Sequence, residues 1–161
     1  MPLVNSGLIS ELQNGFKEHH PDGDLAGKTI ATAINNYIQG VTNAGAGGFT
    51  AFPGGSSLGK AIGGIFKQQL PDGKLVGLQI ATEINNAMLT LQTLYQIGPP
   101  ITAGGLSGFI NDMKSLHGDK ATSGALYGKT LAEHIDKYAK QIQISGTIPG
   151  TPPVPFAGAV S

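Results

Sequence analysis

Apolar residues recur at helical spacing in six stretches of this chain, and the stretches come in pairs. Leu8, Ile9, Leu12 and Phe16 share one face after Ser6, which can cap a helix running to about His20. Pro21-Asp22-Gly23 predicts a turn: Pro fixes φ, Asp bonds back to the backbone, and Gly accepts positive φ. A second helix is expected from about Asp24 to Val41, with Ile30, Ile34, Tyr37, Ile38 and Val41 on its inner stripe. A short turn between two amphipathic helices predicts an antiparallel αα-hairpin.

The same pattern returns twice. Leu58, Ile62, Ile65, Phe66 and Leu70 precede Pro71-Asp72-Gly73, and Ile80, Ile84, Met88, Leu91 and Leu94 follow it. This last helix is the most apolar, which predicts a central place for it. Between Leu8–Asn36 and Leu58–Asn86, 14 of 29 positions are identical without a gap. A third copy lies 101 residues after the first: Gly128-Lys129-Thr130 repeats Gly27-Lys28-Thr29, and Ala132, Ile135 and Tyr138 repeat Ala31, Ile34 and Tyr37. Its first helix carries Phe109, Ile110, Met113 and Leu116, its turn is Gly118-Asp119-Lys120, and its second helix carries Leu126, Leu131, Ile135, Tyr138 and Ile142. As the most diverged copy it reads as a terminal repeat. Gly27, Gly77 and Gly128 sit early in the second helices, where Gly costs about 1 kcal/mol against Ala. Their recurrence predicts a close helix crossing. Asn35-Asn36 and Asn85-Asn86 recur in mid-helix and predict polar bonds between repeats or to the connecting arms.

The connections are of another kind. Residues 42–55, 96–105 and the tail from Ile144 are uncharged, rich in Gly and Pro, and dotted with apolar side chains. A flexible linker would lack the aromatics. These segments read as extended arms laid on a surface, either their own bundle or a neighbouring chain, with short β-pairing between arms possible. The candidate interface residues are Phe49, Phe52, Ile101, Val154 and Phe156. The expected fold is therefore all-α: three tandem αα-hairpin repeats of about 50 residues packed into one six-helix bundle. Residues 1–145 form the helical domain (repeats 1–50, 51–101 and 102–145), and 146–161 form an extended C-terminal arm.

Composition narrows the function. Net charge is zero, no third of the chain is a basic patch, and all ten basic residues are Lys. Without the bidentate fork of Arg, nucleic-acid recognition is not expected. The absence of Cys removes disulfides, thiolate nucleophiles and Cys-ligated zinc. No stretch has 18 apolar residues, so a membrane-spanning helix is not expected, and Met1-Pro2-Leu3-Val4-Asn5 has no charged leader region.

Candidate chemistry is thin. His19-His20-Pro21-Asp22 is the nearest approach to a metal cluster, but adjacent His residues on a helix diverge and the second repeat has Gln69-Leu70 there. Gly27-Lys28-Thr29 and Gly128-Lys129-Thr130 resemble the end of a phosphate loop. That motif needs a further Gly five residues before the pair, where Asp22 and Ser123 stand. Asp22-Gly23-Asp24 starts like a calcium loop, with Gly27 in the place of its glycine, but Ala33 stands where the bidentate Glu belongs. No catalytic residue, metal site or cofactor is expected, nor a small-molecule substrate.

The tandem hairpins, with Gly15-Phe16 on the first helix and Gly27-Lys28-Thr29-Ile30-Ala31-Thr32-Ala33-Ile34 and its copies at 77–84 and 128–135 on the second, resemble virion structural proteins of tailed bacteriophages. So does the apolar tail Pro152-Pro153-Val154-Pro155-Phe156-Ala157-Gly158. The resemblance implies a non-catalytic particle component of head, neck or tail, located in the virion, with a homo-oligomer and other virion proteins as partners. The alternative is a monomeric helical adaptor that takes a protein or peptide between its hairpins.

Overall fold

The computed structural model describes residues 3–18, 22–43, 47–119 and 123–161. Six helices dominate: α1 (Asn5–Lys17), α2 (Gly23–Ile38), α3 (Gly55–Lys67), α4 (Gly73–Met88), α5 (Ala103–Gly118) and α6 (Gly124–Ala139). The second helix of each repeat has a side-chain cap. Asp22 accepts from Asp24 N at 2.9 Å, Asp72 from Lys74 N at 2.9 Å, and Ser123 from Leu126 N at 3.1 Å. These caps hold orphan N–H groups of the first turn. Helix α1 begins one residue ahead of Ser6, with Val4 at the cap position and no side-chain cap. His19, His20 and Pro21 lie outside the described residues, as do Lys120, Ala121 and Thr122.

Each second helix packs most extensively on the first helix of another repeat: α2 on α3, α4 on α5, and α6 on α1. Contacts within each hairpin are fewer. The order closes on itself, so the third copy has both neighbours and is not a terminal repeat. One apolar cluster collects residues from all six helices. Equivalent positions of the second helices fill it: Ile30, Ile80 and Leu131; Ile34, Ile84 and Ile135; Ile38, Met88 and Ala139. So do Val41, Leu91 and Ile142 just past the helix ends, and all are buried. Helix α4 thus holds the same place as α2 and α6, not a central one. Apolar residues on it and past it face outward: Leu75 within α4 is exposed, as are Leu89 at its C-cap and Leu94 beyond β3, which the sequence placed on the inner stripe.

The recurrent glycines make the crossings between repeats possible. A Cβ on Gly27 would overlap the Gly59 carbonyl oxygen and the Gly63 backbone. One on Gly77 would overlap the Met113 carbonyl, and one on Gly128 the Leu12 carbonyl. Backbone-to-backbone approach of this kind leaves room only for hydrogen. The mid-helix asparagines also bond between repeats. Asn35 Nδ2 donates to the Gly55 carbonyl at 3.1 Å, and Asn85 Oδ1 accepts from the Tyr138 hydroxyl at 2.7 Å. In the third copy Asp136 takes this position and accepts from Tyr37 at 2.6 Å.

The expectation of an all-α fold with extended arms is corrected. The chain is mostly helical, but the connections form five short strands: β1 (Thr42–Asn43), β2 (Gly47–Ala51), β3 (Gln92–Thr93), β4 (Gln143–Ile148) and β5 (Val154–Ala159). β1, β2 and β3 make one antiparallel sheet and β4–β5 a second. The expected tail from 146 is therefore the greater part of a β-hairpin that begins at Gln143. The physical reason is backbone accounting. Extended segments gathered at one end of the molecule satisfy their N–H and C=O groups by pairing with each other.

Candidate assembly interface

The three connections meet at the end of the molecule opposite the hairpin turns. Each lies on the strand stub that follows the next second helix. Phe49 and Ala51 pair with Thr93 and Gln92. Ile101 exchanges backbone bonds with Gln143 at 2.8 and 2.9 Å, and Ile97 N donates to the Ser145 carbonyl at 2.9 Å. Thr42 and Ser161 exchange bonds at 2.8 and 3.1 Å, which brings the tail back to the first repeat. Ile144 and Val160 enter the core.

This closure divides the residues singled out from the sequence. Phe49 and Phe52 are half-buried against the core, and the Phe52 ring occupies the space a side chain on Gly55 would need. Phe156 is half-buried as well, its ring close over Gly146. Ile101 and Val154 stand out, at 60% and 55% exposure. The structure adds Ile97, 65% exposed, with Leu94 and Tyr95 beside it in the chain. Sequence reasoning missed these three. The available signal was the run from Ile84 to Asn111, which contains no charge.

Residues 42–51, 92–101 and 143–161 likewise contain no charge. An exposed apolar surface without charges on or beside it is the usual mark of a protein contact. Strand edges with no charged residue to blunt them are open to pairing with another chain.

The turn end differs. Phe16, Phe66, His117 and Tyr127 line an open recess of about 890 Å³ whose rim includes Lys17, Glu18, Asp22 and Lys67. Phe16 meets Tyr127 edge-on at 4.9 Å between ring centres. His117 Nδ1 lies 2.9 Å from the Met113 carbonyl, and Nε2 lies 2.9 Å from the Tyr127 hydroxyl. A carbonyl only accepts, so Nδ1 carries the proton of the neutral ring and Nε2 accepts from Tyr127. Burial lowers the His117 pKa and raises that of Tyr127. Burial also raises Tyr37, with help from Asp136, and pushes Tyr138 up to about 12. These shifts disfavour charge and so keep the polar groups as fixed hydrogen-bonding pairs.

Among the described residues no group of three His, Asp or Glu could hold a metal, and no helix is long and apolar enough to cross a membrane. Both Gly-Lys-Thr stretches lie inside helices, with their glycines against neighbouring backbone. That arrangement offers no loop to cradle a phosphate. No family model, curated protein or solved structure matches this chain.

Proposed function

We propose that this chain is a non-catalytic structural protein that works by assembly: three hairpin repeats forming one closed six-helix bundle, with the strand end as the contact surface. The observation that carries the reading is the set of uncharged strands and connections with Ile97, Ile101 and Val154 exposed on them. The resemblance of the hairpin and tail motifs to virion proteins of tailed bacteriophages makes a phage particle the assembly we propose, with further copies and other virion proteins as partners. The arms act less by reaching across to neighbours than by pairing with each other on their own bundle.

Mass in solution tests this, by light scattering behind a sizing column at several concentrations. The expected result is an assembly that grows with concentration and is lost in the double variant Ile97→Glu/Ile101→Glu. An assembly untouched by that variant would remove the strand end from the account.

A second reading, a monomeric adaptor, draws on the turn-end recess and its aromatic lining. It predicts a 16.5 kDa species at every concentration.

A further inference from the structure

The backbone bonds of the tail determine which groups of its outer strand face away from the molecule. In an antiparallel pair, residues opposite each other either exchange both bonds or both point away. Thr147 N donates to the Tyr95 carbonyl, the Ser145 carbonyl accepts from Ile97 N, and Gln143 exchanges both bonds with Ile101. The backbone groups of all three residues of β4 therefore face the connection beside them. Their partners across the hairpin are Pro155, Ala157 and Ala159. Those three must point outward, away from β4. Ser161, next in the same alternation, does so and meets Thr42.

Ala157 and Ala159 are exposed, and no hydrogen bond holds their outward N–H or C=O groups among the described residues. Natural edge strands are blunted by charge, proline, bulges or cover. Here there is no charge from Gln141 to Ser161, the β4–β5 register runs without a bulge from Gln143 to Ile148, and the one proline in β5 is near its start. Among the described residues β1 bonds to this edge at Ser161, past the end of β5.

We infer that β5 pairs with β5 of a second copy of this chain, antiparallel about a twofold axis through Ala157. This rests on the assembly reading and names its partner and register. The edge is self-complementary. Ala157 is the middle one of the outward residues, so it exchanges N–H and C=O with the same residue of the other copy. Ala159 N–H then meets the carbonyl of the partner's Pro155. The missing N–H of Pro155 falls at the end of the ladder, where its absence costs one terminal bond at each end. Side chains on that face of the strand are small and uncharged, so no charge is buried on pairing. A second copy fits this edge better than a charged or basic partner, which would find nothing here to pair with.

The test uses the full chain and Ala157→Pro. That substitution deletes the central outward donor, and this N–H makes no bond among the described residues. In wild type the expected mass is twice 16.5 kDa or a multiple of that, with slowed exchange of the Ala157 and Ala159 amides at concentrations where it forms. Ala157→Pro should remove the twofold contact and lower the mass below that of wild type at the same concentration, while far-ultraviolet circular dichroism stays unchanged. Should that variant unfold, Ala157→Lys serves instead, since it places charge at the centre of the edge and leaves every backbone group in place. A folded variant of either kind that assembles as wild type does overturns the strand pairing and leaves assembly through Ile97 and Ile101 standing. A wild-type chain that stays monomeric overturns self-pairing itself.

Discussion

The two ends of this molecule are built from the same three hairpins and share almost nothing else. At the turn end lie acidic and hydroxyl caps, the Lys67–Asp24 ion pair and a recess edged by both signs of charge. In the strands and connections of the other end there is no charge, the Lys140–Asp136 ion pair closing α6 just before them, and the chain is held by backbone bonds between connections whose sequences do not repeat. Identity between repeats follows side-chain constraints: a capped turn, a glycine at a crossing, an isoleucine in the core. Backbone pairing makes no demand on side-chain identity, so the strand end keeps the closed order of the helices without keeping their sequence. It was free to serve as the contact surface proposed above.

The largest effect expected from this comparison is at the strand end itself. Ile144 sits in β4 but reaches the core, 2% exposed, whereas Ile97 pairs beside it and faces out. Ile144→Ala should cost about 2–4 kcal/mol, as removal of a buried aliphatic group does. Ile97→Ala should stay within about 0.5 kcal/mol, as surface substitutions do. Urea unfolding of both variants reads the contrast. Equal losses would mean the tail is a passive cover, not part of the core.

Next in size are the crossings. Gly77→Ala drives a methyl into the Met113 carbonyl of α5, while a Cβ on Gly64 of α3 meets nothing within 4 Å. The first should destabilise by about 1–3 kcal/mol. The second should stabilise by up to about 1 kcal/mol, because Ala is the better helix former and no contact opposes it. Thermal melts of the pair decide it. A neutral Gly77→Ala would show that α4 can move off α5, and the close crossing would lose its role.

Much of this was legible in the chain before any coordinates. The six helices follow from the spacing of Ile30, Ile34 and Ile38 and their copies, because helical period and burial are both local matters. Gly27, Gly77 and Gly128 announced close approach, since nothing else repays their cost in a helix. The partner at that crossing was not legible. The hairpin turn suggests that α1 and α2 are the closest pair, yet α2 lies mainly on α3 and α6 on α1. That choice is made by which glycines face which backbone, a property of two helices together. The strands were hidden for a related reason. Segments such as Gln143–Ile148 and Val154–Ala159 become strands, and Gln96 and Ile101 make β-bridges, only because another segment lies beside them. Phe49, Phe52 and Phe156 looked like contact residues for the same cause. Their apolar character was visible, but not the surface of their own molecule that would cover them.

The smallest predicted effect belongs to the turn end and its third copy. Phe16 and Phe66 hold the position that His117 takes in α5. Burial lowers the His117 pKa below its usual value near 6.5, and His134 is lowered in the same sense, chiefly by burial and partly offset by Asp112. The unfolded chain therefore takes up protons at a pH where the folded one does not. Stability is full above about pH 6.5 and declines as pH falls from there toward the lowered native values. Each His should account for under about 1 kcal/mol between pH 7.5 and 5.5, a window above the ordinary carboxylate range. His117→Phe makes the third copy like the other two and should flatten this slope, although Tyr127 loses the acceptor for its hydroxyl and absolute stability falls. The slope is therefore the quantity to measure, by urea unfolding at several pH values, with His134→Gln to remove the second contribution. If His117→Phe kept the wild-type slope, the buried ring at the recess would already be exchanging protons freely, and the turn end would be the looser of the two.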